Sequence, residues 1–209
     1  MKLIPESQLD RALEIDNEIP GHSNKDIACV LLNYVKQTKR NMILNEFMKT
    51  TAKTTALVRR VSENPIHLHD IFEQHPLAAQ QYNKTKQDLS GYTNINYHNT
   101  SPLDVDMDAL DGNREYDLIY TLLPYKLEQA PNTTETVISK TLELWDWAST
   151  DGTIICGPDY DKGPVKRMVD LFVKQNKYEL ETYLNTNWAH PEAEREDYMF
   201  AFQVKRKGT

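Results

Sequence analysis

The strongest constraint on the fold is a rhythm. Five short apolar runs, Met42 to Phe47, Ile66 to Asp70, Ile95 to Tyr97, Tyr116 to Leu123 and Thr153 to Cys156, are separated by segments of helical character. After the first run, Ala56, Leu57 and Val61 recur at helical spacing within Thr54 to Glu63, and Pro65 ends the helix. Pro76 opens the next helix at its first turn, and Gly91 stands at its C′ position. Ser101 to Leu110 is a helical or irregular connection, followed by an Asp111-Gly112-Asn113 turn. Asn132 with Glu135 caps a long helix that buries Val137, Ile138, Leu142, Trp145 and Ala148. Gly163-Pro164 begins another, with Val165, Met168, Val169, Phe172 and Val173 on its inner face. Strands that alternate with helices form a parallel sheet covered on both faces, and Tyr116 to Leu123 has the nearly continuous apolar character of a doubly buried strand.

The two ends of the chain break this rhythm. Tyr178 to Thr186 and Asp197 to Lys205 are strands joined only by Asn187 to Glu196, which implies an antiparallel pair. At the other end, Ser7 to Asn17 carries Leu9, Ala12 and Leu13 at helical spacing. Ser23 and Asp26 then cap a second helix with Ile27, Val30, Leu31, Tyr34 and Val35 on one face. The expected fold is α/β, with a seven-stranded, mostly parallel sheet, helices on both faces and an antiparallel C-terminal strand pair. Residues 1–40 form an N-terminal helical extension and residues 41–209 one domain, with Pro20 to Ser23 the candidate boundary.

A length of 209 residues suits one sizeable domain. The net charge of -7 argues against bulk nucleic-acid binding, which needs clustered Lys and Arg. Cys29 and Cys156 lie far apart in apolar surroundings, as buried free thiols do in a reducing compartment. The first residues lack an apolar signal core and no run can span a bilayer, so a cytoplasmic location is expected. The sequons at Asn99 and Asn132 carry little weight in that setting.

No glycine occurs between Gly21 and Gly91. The gap covers the turn after the first strand, Asn45-Glu46-Phe47-Met48-Lys49-Thr50-Thr51-Ala52-Lys53. That turn is where an open parallel sheet of this kind holds a nucleotide-like ligand, beyond the carboxyl ends of its strands.

Five βα units closed by an antiparallel pair resemble the class I S-adenosylmethionine-dependent methyltransferases, from about Lys39 to Lys205. The resemblance implies a Rossmann-like fold, S-adenosylmethionine as cofactor and methyl transfer as activity. Glu46 matches the acidic residue that closes the first strand in that family. Met48, Thr50 and Ala52 stand where the family places glycines, and Lys49 can meet a ligand carboxylate near the helix N-terminus. Side chains there hinder close backbone approach, and a left-handed conformation would cost roughly 1–2 kcal/mol. At the end of strand two, Asp70 is the implied partner of the ribose hydroxyls, with Ile71 beside it. Asn99 and Thr100 end strand three, where the family reads the adenine amino group. Thr121 ends strand four and completes the implied cofactor lining. Thr121-Leu122-Leu123-Pro124-Tyr125 matches the Asn/Asp-Pro-Pro-aromatic motif of amino-methylating members only in its last Pro and aromatic. Tyr125 is the implied catalytic residue, without the motif's acceptor side chain.

Other constellations are weaker. Phe47 to Thr54 resembles a phosphate loop in Lys53-Thr54, but Phe47 and Ala52 replace both defining glycines. His67 and His69 share a strand face near Asp70 and His75, yet a metal needs three or more converging ligands, and none is expected. Asp159, Asp161 and His190 lie in loops where a general base can stand. Trp145, Trp147 and Trp188 are packing residues. The resemblance implies one of two functions: a methyltransferase acting on a small-molecule or protein acceptor, or a catalytically silent protein of that fold serving as a binding or scaffold subunit.

Overall fold

The computed structural model describes residues 25–45, 51–69, 78–98, 116–124, 131–184 and 197–205. In chain order these form α1 (Lys25–Val35), β1 (Asn41–Asn45), α2 (Thr51–Arg59), β2 (Ile66–His69), α3 (Ala78–Asp88), β3 (Ile95–His98), β4 (Tyr116–Thr121), α4 (Pro131–Ala148), β5 (Ile154–Pro158), α5 (Gly163–Asn176), β6 (Leu180–Leu184) and β7 (Asp197–Gln203). The strands make one seven-stranded sheet in the order β3-β2-β1-β4-β5-β7-β6. β1 to β5 are mutually parallel, and β7 runs antiparallel between β5 and β6. The α/β architecture and the antiparallel closing pair match the expectation from sequence.

Alternation along each strand divides the core in two. Met42 and Leu44 of β1, Ile66 and Leu68 of β2 and Leu118 and Tyr120 of β4 pack with Ala28, Leu31 and Val35 of α1 and Ala56 and Leu57 of α2. Ile43, Ile119, Ile155, Phe200 and Phe202 turn the other way, onto Ile138, Leu142 and Trp145 of α4 and Val165, Val169 and Phe172 of α5. The helix expected to belong to an N-terminal extension is thus, over Lys25–Val35, a layer of this core. Its Tyr34 hydroxyl lies 2.5 Å from that of Tyr183 on β6 and donates to Glu181 Oε2 at 3.1 Å. The bond fastens α1 to the far edge of the sheet. Residues 1–24 lie outside the described residues.

The amino ends of the strands are locked by two charged groups. Asp117 on β4 accepts from the Lys39 and Arg40 backbone N–H groups at 2.6 and 2.9 Å and from Arg40 Nε at 2.6 Å. Burial alone would raise the Asp117 carboxyl, but these donors and the Arg40 charge hold it below the usual range. Arg59, buried at the end of α2, donates to the carbonyls of Ser62, Asn64 and Asn94 at 2.8, 2.6 and 3.1 Å. It thereby joins the turns that lead into β2 and β3.

Chain breaks in the sheet use few glycines. Lys177, with φ 58°, ends α5 in the left-handed region, and its N–H reaches the Lys174 carbonyl. Gly157 on β5 is required by space. A Cβ there would lie 2.1 Å from the Thr121 carbonyl oxygen and 2.9 Å from the Phe200 ring. Gly157→Ala is therefore expected to destabilise the fold by about 3 kcal/mol in urea unfolding, since both β4 and β7 would have to retreat. A loss below about 1 kcal/mol would show that the three strands are not held as closely as the geometry requires.

Candidate active site at the strand ends

The chain passes from β1 outward to β2 and β3, then returns to β4 on the other side of β1. Neighbouring connections leave β1 and β4 toward opposite faces: α2 packs with the first core half and α4 with the second. Such a reversal opens a crevice beyond the carboxyl ends of the two strands, the general ligand site of open α/β sheets.

The strand ends at that reversal are polar. Asn45, the last residue of β1, is in register with His69 on β2 and Thr121 on β4, and His69 is in register with His98 on β3. Asn45 and His69 are each 1% exposed and Thr121 is fully buried. Asn45 Nδ2 donates to the His69 carbonyl at 3.1 Å, and Thr121 Oγ1 donates to Asn45 Oδ1 at 3.0 Å. The indole N–H of Trp145, from α4, donates to Thr121 Oγ1 at 3.1 Å. The Leu122 backbone N–H closes the pattern on the Asn45 carbonyl at 2.8 Å. A buried network in which each of these donors finds an acceptor holds one geometry.

Three histidines extend the row. The His69 ring stacks on His98 at 4.2 Å and 4° and meets Trp145 edge-on at 5.7 Å. His67 Nδ1 and His98 Nε2 lie 3.1 Å apart, so one nitrogen must be an unprotonated acceptor. Both His69 ring nitrogens are buried without a hydrogen-bond partner. Burial, then the neighbouring His98, lowers His67 to about 4 and His69 to about 3. The rings stack rather than converge, and among the described residues no group of three His, Cys, Asp or Glu side chains can hold a metal ion.

β5, the neighbour of β4, leads into a second group of polar residues. Asp159 follows it with φ 61°, in the left-handed region that a short polar side chain tolerates. Burial, and then the Asp161 carboxylate, raises the Asp159 carboxyl, against the opposing charge of Lys162. Asp161 Oδ2 accepts from Lys162 Nζ, while its Oδ1 is buried and unpartnered. Between these acids, Tyr160 is fixed to α5: its hydroxyl donates to Asp170 Oδ1 at 2.5 Å and accepts from Lys166 Nζ at 3.0 Å.

Of the residues that the sequence implies for cofactor binding and catalysis, Thr121 and the candidate bases Asp159 and Asp161 fall among the described ones, and the Thr121 hydroxyl is engaged by Asn45 and Trp145. Glu46, Met48, Lys49, Thr50, Asp70, Ile71, Asn99, Thr100 and Tyr125 lie outside the described residues, as does His190. The ends of β1, β2 and β3 immediately precede Glu46, Asp70 and Asn99, so the segments carrying these residues start from one row. Asn45 and the indole N–H of Trp145 were missed from sequence. The available signal was a polar residue closing an otherwise apolar run.

No family model and no curated protein matches the chain. Solved structures do match its fold. A precorrin-6y C5,15-methyltransferase from Geobacter metallireducens superposes with a TM-score of 0.63 at 10% identity, over 91% of this chain and 96% of that one. An O-methyltransferase from Bacillus cereus, in complex with SAH, gives 0.62 at 13% identity, over 96% and 92%. The N-methyltransferase NodS from Bradyrhizobium japonicum gives 0.60 at 12% identity, over 87% and 96%. The described residues therefore have the class I methyltransferase fold.

The buried histidines predict an acid-sensitive fold. Their lowered values mean that the unfolded chain takes up protons below about pH 6.5 while the folded chain does not. The stability that neutral histidines contribute is complete above pH 6.5 and is lost as pH falls toward 4 and then 3. For His69 the slope approaches about 1.4 kcal/mol per pH unit. Urea unfolding between pH 6.5 and 5, where few carboxylates titrate, should show a shallower slope in His69→Leu than in wild type. Equal slopes would show that His69 is not held neutral.

Proposed function

We propose that the protein is a methyltransferase that uses S-adenosylmethionine and acts on a small-molecule or protein acceptor in a cytosolic setting. The observation that carries the proposal is the β1/β4 reversal, whose strand ends are joined by the Asn45–Thr121–Trp145 network, in a sheet of order β3-β2-β1-β4-β5-β7-β6. The strand ends that lead directly into Glu46, Asp70 and Asn99 suit a ligand with a ribose, an amino acid end and a base. Glu46, Met48, Lys49 and Thr50 would meet the amino acid end, Asp70 the ribose hydroxyls with Ile71 beside them, and Asn99 and Thr100 the adenine. The acidic balance supports such an acceptor over bulk nucleic acid.

When bound, S-adenosylmethionine supplies an electrophilic methyl group on a sulfonium, which an acceptor lone pair displaces in line. The chain's part is to bind, orient and take a proton. Asp159 is the candidate base, because it follows β5, next to β4, with a carboxyl raised toward the range in which it can accept a proton and later release it. Tyr125, next after the described end of the β4 connection, would pack against the acceptor.

A second reading has its own observation. Met48, Thr50 and Ala52 replace the glycines at the cofactor turn, which favours a protein that keeps the fold as a binding subunit without catalysis. Calorimetry with S-adenosylmethionine and S-adenosylhomocysteine separates the two. Saturable binding, and a rise in melting temperature with ligand, is expected of the methyltransferase; no response at millimolar ligand would leave the silent subunit. Asp70→Ala should abolish most of the binding, and unchanged affinity would place the ribose elsewhere. Once an acceptor is found, Asp159→Asn should lower kcat about 100-fold or more with little change in cofactor affinity. A kcat within a few-fold of wild type would remove Asp159 from the chemistry.

A further inference from the structure

Helices α4 and α5 follow the neighbouring parallel strands β4 and β5, so they run in the same direction on one side of the sheet. Arg167, the fifth residue of α5, fixes their register: its Nε and Nη2 donate to Oε1 of Glu135, the fifth residue of α4, at 3.0 and 2.6 Å. About one turn further along, Leu171 comes level with Ser139, and a turn beyond that Gln175 comes level with Glu143. The outer side of the pair holds an open groove of about 520 Å³, lined by Glu135, Thr136, Ser139, Lys140, Glu143 and Met168. On its α5 edge stands Leu171, at 45% the one exposed large hydrophobic side chain among the described residues. It sits one turn from Met168, on the same flank of the helix. Charge is sorted along this groove. Its α4 edge carries an acid at each end, Glu135 and Glu143, whereas its α5 edge carries a base at each end, Arg167 and Lys174. Lys140 lies roughly 100° around the helix from Ser139, away from α5. Glu143 is exposed and accepts from the Ser139 hydroxyl at 2.9 Å. Arg167 is 64% exposed, and its guanidinium has more N–H groups than the Glu135 contact uses.

We infer that this face is the interface of a two-fold dimer: Leu171 of one copy enters the groove of a second copy beside Met168, and Arg167 of each copy meets Glu143 of the other. A surface with acids along one helix and bases along the next is complementary to itself after a half-turn. With the axis near Leu171, a residue four positions before it faces one four positions after. That brings Arg167 to the level of Gln175 and Glu143, and Lys174 to the level of Glu135. Each attraction is thereby formed twice. A partner of uniform charge would oppose one edge of the groove with like charge, so a second copy of this chain fits it better. The contact is small and its charges are exposed, which places the dimer in the weak, salt-sensitive class. The inference is independent of the proposed function.

The test is sedimentation equilibrium of the full chain at low salt, from about 10 μM to about 1 mM, the range over which small interfaces become populated. The average mass should climb with concentration from 24.2 kDa toward twice that value. Leu171→Glu should weaken the dimer about tenfold or more, because it puts a charge into the partner's groove. Glu143→Arg and Arg167→Glu should each weaken it about tenfold, and the charge-reversed double variant should return to within about threefold of wild type. All three positions are exposed, so the variants keep the fold, and an unchanged melting temperature at high dilution checks this. A mass that stays at one chain over the whole range leaves the groove to some other partner and overturns the inference. So does a dimer whose affinity is unaltered in Leu171→Glu, or one that charge reversal does not restore.

Discussion

Asn45 puts a carboxamide into the interior at the point where the sheet reverses its winding, and much of the candidate site depends on how that group is satisfied. Its Nδ2 uses the β2 backbone and its Oδ1 uses Thr121, which in turn is held by the indole of Trp145. None of these groups has water to fall back on. Losing one partner would leave a buried donor or acceptor unpaired, which costs about 1–3 kcal/mol. The strand ends are therefore fixed relative to each other by polar geometry, whereas the middle of the sheet is held by apolar packing that tolerates small slips.

The two ends of the sheet are built differently. At the amino ends, the Asp117 carboxylate and the Arg59 guanidinium gather backbone groups from the segments leading into β1, β2 and β3. These are charged anchors held by partners within the fold, with only the Arg59 Nε left buried and unpartnered among their nitrogens and oxygens. At the carboxyl ends Asn45, Thr121 and Trp145 are neutral, and both His69 nitrogens and one Asp161 carboxylate oxygen have no partner. A surplus of unsatisfied buried polar groups at one end of a sheet is the pattern expected where function, rather than stability, sets the residues.

The glycine gap takes on a different meaning against this background. In the resembled family, glycines let the first turn approach its ligand. Here α2 begins at Thr51, and Met48 and Thr50 stand in those positions of the sequence. The neighbours that share this fold do so at 10 to 13% identity, which is enough to carry an architecture and too little to carry individual site residues.

The sequence alone determined the order and type of the elements, because apolar period follows directly from which faces are buried: Tyr116 to Leu123 could only be a doubly covered strand, and Ile138, Leu142 and Trp145 could only be one helix face. It also pointed to the antiparallel closing pair, since no helix separates the last two strands. Boundaries were less legible: the apolar run Thr153 to Cys156 stops two residues short of the end of β5 at Pro158. What only the tertiary structure decided is which residues meet across strands. Asn45, His69, Thr121 and Trp145 are 24 to 100 positions apart along the chain, and each has an ordinary local explanation. Their row exists because parallel register aligns the last residues of separate strands, and register is a property of the assembled sheet.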